Sequence, residues 1–141
     1  SDTIDLTFSM PVRRIYCNPR VRANEGQVAL MRGPLVYCFE GVDNGADLQE
    51  LRIPRTAAFT ASELTDDKSP LNGMTVLDFT GRRSTFPAVP EASLEDGAEA
   101  PFEELYSEEE PVLSDAPMHA VPYFAWGNRG ENQMRVWMHE I

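Results

Sequence analysis

The stretch Val28-Ala-Leu-Met-Arg-Gly-Pro-Leu-Val-Tyr-Cys-Phe39 decides the fold class. Two apolar runs, residues 28–31 and 35–39, are divided by Gly33-Pro34, a pair that turns the chain. Each run is shorter than an ordinary helix of about 10–14 residues. Their Val, Tyr and Phe content suits a pleated surface, so two strands joined by a turn are predicted.

Working outward, the same signal recurs. Residues 12–17 favour β structure until Asn18-Pro19. Residues 3–10 alternate strictly, with Ile4, Leu6, Phe8 and Met10 on one side and Thr3, Asp5, Thr7 and Ser9 on the other, the period of a half-buried strand. Downstream, Asn44-Gly45 and Asn72-Gly73 are turn signals, and residues 74–79 form another apolar run. The closing section places Val121-Pro-Tyr-Phe-Ala-Trp126 and Met134-Arg-Val-Trp-Met138 on either side of a Gly-bearing loop, which predicts an aromatic hairpin. No 11-residue window keeps a helical apolar period, and 11 prolines are scattered along the chain. The expected fold is all-β, an antiparallel β-sandwich or jelly roll with a long acidic loop.

At 141 residues the chain fits a single domain, 1–141. Its net charge of −11 opposes a nucleic-acid partner or an anionic membrane surface, both of which need clustered Lys and Arg. The charge is unevenly placed. Residues 86–117 hold ten acids, five prolines and no Lys or Arg, leaving the remainder at −1. That segment is expected to be a solvated, Pro-rich insertion, with a helical turn or two within 91–106. Residues 1–10 hold no basic region followed by an apolar block, so no secretory leader is expected; a cytoplasmic location is expected, with an exported parent in some bacteria as the alternative.

The chain carries no GxSxG elbow, Walker loop, GxGxxG, HExxH or EF-hand spacing. His119 and His139 read as surface or rim histidines, and Glu103 and Glu104 as members of the acidic loop rather than an acid/base pair. Cys17 and Cys38 lie outside any CxxC spacing, so no zinc site is expected; reduced, packed thiols are favoured, with one disulfide as the alternative. Tyr123, Trp126 and Trp137 fit either of two roles: cross-strand packing, which their alternation favours, or a flat face on which a sugar ring stacks. Arg129, in the Gly127-Asn-Arg-Gly130 loop, suits a bidentate carboxylate clamp or a brace against a neighbouring domain.

Three strings carry a resemblance. They are Met10-Pro-Val-Arg13 with Asn18-Pro19 and Val21; Gly26-Gln-Val-Ala-Leu-Met-Arg-Gly-Pro-Leu-Val-Tyr-Cys-Phe-Glu40 with Asp43-Asn44; and Val121-Pro-Tyr-Phe-Ala-Trp-Gly-Asn-Arg-Gly130 with residues 134–137. From about Ile4 to Met138 the chain resembles the C-terminal region of glycoside hydrolase family 127, the β-L-arabinofuranosidases, more loosely over 48–115. The resemblance implies a bacterial parent enzyme with a catalytic (α/α)6 barrel followed by β-sandwich domains. That parent acts with retention through a cysteine nucleophile near zinc and a glutamate acid/base. The family's adjacent cysteine pair and Glu-x-Cys are missing here, so no catalytic, cofactor-binding or metal residue carries over, and Cys17 and Cys38 are neither nucleophile nor ligands. The resemblance implies a non-catalytic accessory domain packed on the barrel, with a homodimer contact or a carbohydrate-binding face as further roles. Residues 1–10 then read as the last strand of a preceding sandwich.

Overall fold

Nine strands and three short 3-10 turns run through residues 2–86 and 108–141, which are the residues the computed structural model describes. The strands are β1 (Val12–Tyr16), β2 (Gln27–Arg32), β3 (Leu35–Glu40), β4 (Leu51–Ile53), β5 (Thr60–Glu63), β6 (Thr75–Thr85), β7 (Val112–Pro122), β8 (Met134–Arg135) and β9 (Met138–Glu140). One helical turn, α1 (Gly41–Asn44), follows β3 directly.

The pairings form a circuit. From β2 it runs to β3 (Arg32↔Leu35), to β7 (Cys38↔Val121), to β6 (from Leu77↔Ala120 to Thr85↔Val112), and on to β4 (Leu51↔Arg83). It then passes to β9 (Arg52↔His139) and back to β2 (Val28↔Met138). β1 lies along β2 from Val12↔Arg32 to Tyr16↔Val28, and β5 flanks the start of β6. Closure of this kind leaves few open strand edges. The expected all-β sandwich is present, with one departure from antiparallel order: β4 and β9 run parallel.

Side-chain alternation explains why the apolar runs are continuous. Tyr37 and Phe39 of β3 enter one core cluster with Val28, Leu30, Leu77, Phe79 and Met118. Cys38 points the opposite way, into a second cluster with Leu71, Val76, Val121 and Ala125. β3, the start of β6 at Val76–Leu77 and the end of β7 at Ala120–Pro122 are thus covered on both faces, so successive residues are buried there, whereas β6 alternates from Leu77 to Gly81. Phe79 stacks edge-on against Phe39 at 6.0 Å and Phe59 at 4.9 Å. On β6, Gly81 has no room for a side chain: a Cβ there would lie 2.1 Å from Met118 Sδ and 2.9 Å from the Arg52 carbonyl oxygen.

Three expectations are corrected. Residues 3–10 form no strand and lie exposed apart from the main sheet; their alternation is real, but no described strand pairs with them. The aromatic hairpin does not form. β7 pairs with β6 and β3, β8 pairs with β3, and β9 lies between β2 and β4. After Pro122 the chain turns through a 3-10 turn, Tyr123–Ala125, and the loop beyond it bonds to α1 and the end of β3. Finally, the insertion placed at 86–117 is too long, because residues 112–117 belong to β7, held by register pairs such as Asp115↔Arg82. Pro117 is tolerated where only β6 flanks β7. The helical expectation for 91–106, with Glu103 and Glu104, falls outside the described residues.

Candidate functional site

β3 delivers Glu40 into a fully buried position, and α1 begins on the next residue. A buried carboxylate is costly unless its oxygens are satisfied. Glu40 Oε2 accepts from Arg129 Nη2 at 2.6 Å, while Oε1 accepts from the Gly127 N–H at 3.0 Å and Asn132 Nδ2 at 3.3 Å. Arg129 also donates to both oxygens of Asp43, at 2.6 and 2.5 Å, the bidentate fork its sequence context suggested. Its buried Nε has no acceptor among the described residues. Burial pushes the Glu40 carboxyl up, but the Gly127 N–H, Arg129 and Asn132 outweigh it and hold Glu40 below its ordinary value. Glu40 is therefore a held anion, unsuited to donate a proton as a general acid.

The loop beyond Trp126 is stitched along its length. Gly41 N–H donates to the Gln133 carbonyl at 2.8 Å, Val42 N–H to Asn132 Oδ1 at 3.2 Å, and Asn128 Nδ2 to the Ala125 carbonyl at 3.0 Å. On the other side of α1, buried Asn44 donates to the carbonyls of Glu40 and His119, both at 2.9 Å, and accepts from the His119 N–H at 2.8 Å. α1 is thereby the hub between β3, β7 and the loop.

This clamp holds the turn that carries the exposed aromatics. Tyr123, Phe124 and Trp126 are 45%, 64% and 44% exposed. Cross-strand packing, the role their alternation favoured, is overturned for Tyr123 and Trp126, because the turn ends the strand register and lifts their rings outward. Trp137 is half-buried between β8 and β9. Trp126 borders a shallow depression of 450 Å³ with Gly127, Gly130, Glu131 and Asn132, whose last two residues also wall a 380 Å³ depression reaching Val42.

His119 Nδ1 lies 2.6 Å from Asp78 Oδ1 across β6 and β7, a partly exposed cross-strand pair. His139 sits between β2 and β4, where burial and then Arg52 and Arg135 push its pKa down. Cys38 is buried, and its thiol is pushed up to about 12, first by burial and then by the Glu40 charge. Cys17 is partly buried, with its thiol 3.2 Å from the Asn24 carbonyl. Zinc wants thiolates gathered with other ligands. Among the described residues no group of three or more His, Cys, Asp or Glu is placed to hold a metal.

One polar cluster was not legible in the sequence. Glu140, in β9, accepts from Arg14 Nη1 at 2.9 Å, the Tyr16 hydroxyl at 2.7 Å and Arg55 Nε at 3.0 Å. Burial raises this carboxyl, and Tyr16, Arg55 and Arg14 outweigh it to leave it lowered. Its partners lie 126, 124 and 85 residues away, and only the insertion of β9 beside β2 gathers them.

Fold and clamp together define a β-sandwich domain whose polar clusters bind its own loops. A family model for the glycoside hydrolase family 127 C-terminal domain matches residues 12–139, and the chain belongs to that family. It is 38% identical over 140 residues to the non-reducing end β-L-arabinofuranosidase of Bifidobacterium longum subsp. longum, covering 96% of this chain and 20% of that protein. Among solved structures, a GH127 β-L-arabinofuranosidase from Geobacillus stearothermophilus T6 is 42% identical with a TM-score of 0.77, covering 95% of this chain and 19% of that one. A second GH127 β-arabinofuranosidase is 26% identical with a TM-score of 0.73, covering 95% and 18%. The chain spans about a fifth of the length of these relatives.

Proposed function

We propose that this chain is the non-catalytic C-terminal accessory domain of a bacterial glycoside hydrolase of the β-L-arabinofuranosidase type, packing on and stabilising a catalytic (α/α)6 barrel and supporting a homodimer. The observation that carries the reading is the aromatic turn. Three large rings stand out of the domain's own core on a turn adjoining a loop fixed by a buried charge clamp. An immobilised apolar surface loses little entropy on docking, and covering a large side chain is worth about 1.5–3 kcal/mol. Within one polypeptide the partner is always present at high effective concentration. The family membership and the one-fifth share of the relatives' length support the same reading.

The test is a full-length enzyme lacking residues 12–141, compared with wild type by calorimetry, sedimentation and hydrolysis of a chromogenic β-L-arabinofuranoside. The expected result is a lower Tm and a changed oligomeric mass. Unchanged stability, mass and activity would overturn the proposal.

A second reading has its own support. Trp126 beside the depression walled by Gly130, Glu131 and Asn132 is an arrangement on which a sugar ring stacks through its C–H face. Isothermal titration of this chain with arabinose-containing oligosaccharides decides it, since heat abolished by Trp126→Ala is the result it requires.

A further inference from the structure

The Glu140 cluster forms part of the wall of a 260 Å³ cavity, which Tyr16, Cys17, Asn24, Gln27 and Arg55 also line. The cavity lies between the β1–β2 connection and the chain just beyond β4. Its walls are tied together through the backbone. Glu140 N–H donates to the Gly26 carbonyl at 3.0 Å and Arg55 N–H to the Ile141 carbonyl at 2.8 Å. The Cys17 thiol, 3.2 Å from the Asn24 carbonyl, draws in the 3-10 turn Arg22–Asn24. The space is therefore preformed, as small-molecule sites generally are.

The side chains in these walls hold more hydrogen-bonding capacity than the domain uses. Arg55 commits Nε to Glu140, while its two Nη groups have no acceptor among the described residues. The half-buried carboxamides of Asn24 and Gln27 likewise have no partner among the described residues. The Tyr16 hydroxyl donates to Glu140, which leaves its oxygen free to accept. Arg14 already neutralises buried Glu140, and the Arg55 side chain is 80% exposed, so its ion pair adds little to stability. What that bond does is aim Arg55 along the cavity wall.

Charge and size narrow the ligand. Glu25 and Glu140 in the wall are matched in number by Arg55 and Arg14, so an anion finds no excess of positive charge there. Free donors and acceptors side by side suit hydroxyl groups, each of which donates once and accepts twice. The exposed Tyr16 ring and Pro19 add an apolar surface. Ligand pockets commonly run about 300–1,000 Å³, so this smaller space admits a single ring rather than a chain of them.

We propose that this cavity binds one neutral sugar ring, its C–H face against Tyr16 and its hydroxyls shared among Arg55, Gln27, Asn24 and Glu140. The site has no residue in common with the depression beside Trp126 and does not depend on that reading.

The test is a ¹H–¹⁵N NMR titration of the 141-residue chain with L-arabinose, D-galactose and D-glucose. At least one should give saturable shifts with a millimolar dissociation constant, centred on residues 16–27, 55 and 140. Arg55→Ala and Gln27→Ala should each weaken binding about tenfold, whereas Trp126→Ala should not change it. The spectra show whether each variant is folded, and the wild-type shifts decide if one is not. A methyl glycoside of the bound sugar separates the sources: retained affinity assigns the terminal unit of a glycan, and lost affinity a free sugar. No saturable shift with any of the three sugars overturns the proposal. So do shifts centred on residues 126–132, unchanged affinity in both cavity variants, or tighter binding of acetate or inorganic phosphate in the cavity. The accessory role stands or falls separately, on its deletion experiment.

Discussion

Arg129 Nη1 and Nη2 sit on the two carboxylate oxygens of Asp43 at 2.6 and 2.5 Å, across 86 residues of sequence, and Nη2 reaches buried Glu40 as well. One guanidinium therefore joins the end of β3, α1 and the loop after Trp126. Arg129→Ala strands Glu40 as a buried anion and should cost about 3–5 kcal/mol in urea unfolding. Arg129→Lys keeps the charge but loses the fork, costing about 1.5–3 kcal/mol for each charge-assisted bond lost. In a double-mutant cycle, Glu40→Gln should relieve part of the Arg129→Ala penalty. Additive costs would show that the two do not interact.

Stability should fall with acid. Glu40 and Glu140 are both held below their ordinary 4.5, so each contributes stability that is complete above that value and lost as pH falls through its lower folded value. His139, lowered from 6.5, contributes in the same direction beginning near that pH. Thermal melts from pH 8 to pH 3 should show a slight decline below 6.5 and a steeper one below 4.5. A flat profile would mean these carboxyls are not held as anions.

Gly81→Ala places a methyl against Met118 Sδ and the Arg52 carbonyl. The thioether can swing away, but the carbonyl belongs to the β4 ladder, so the cost should be about 1–3 kcal/mol. Met118→Ala added to Gly81→Ala should recover only part of the clash. Full recovery would mean β4 yields freely.

Thiol labelling with a charged disulfide reagent at pH 8 should modify Cys17 and spare Cys38 in the folded chain. Cys38 is buried with its thiol pushed up to about 12, so almost no thiolate exists to react. Urea should expose it, giving two labels. Rapid labelling of both in native buffer would contradict the packing of the second core cluster.

How much of this was legible in the sequence depends on how far each signal had to reach. Gly33-Pro34 is a local instruction, and β2 and β3 follow from it with their turn in place. The final hairpin was misread because adjacency implies pairing only when nothing better competes. Here the loop's donors go to Glu40, and β9 pairs with β2 and β4 instead. Arg129 announced a carboxylate clamp, but not that Glu40 and Asp43 were its partners. The chemistry of a guanidinium is local, whereas the positions of its acceptors are set by the fold. Residues 3–10 show the opposite case: the alternation is plain in the sequence, yet no strand forms there and no described strand pairs with it. The circuit of strands was beyond reach, since it depends on three residues near the end, 138–140.

Those three residues also govern the order in which the domain is made. β2 and β4 are synthesised early, but the strand that bridges them is β9, about 110 and 85 residues later. During synthesis both edges stay open, and with them the apolar interior they border. The acidic segment is translated within that interval, so the nascent chain carries its densest negative charge while its sheet is still incomplete. Like charges resist the association of exposed strands between neighbouring chains. The domain's most uneven feature, its charge, thus coincides in time with its greatest exposure to aggregation.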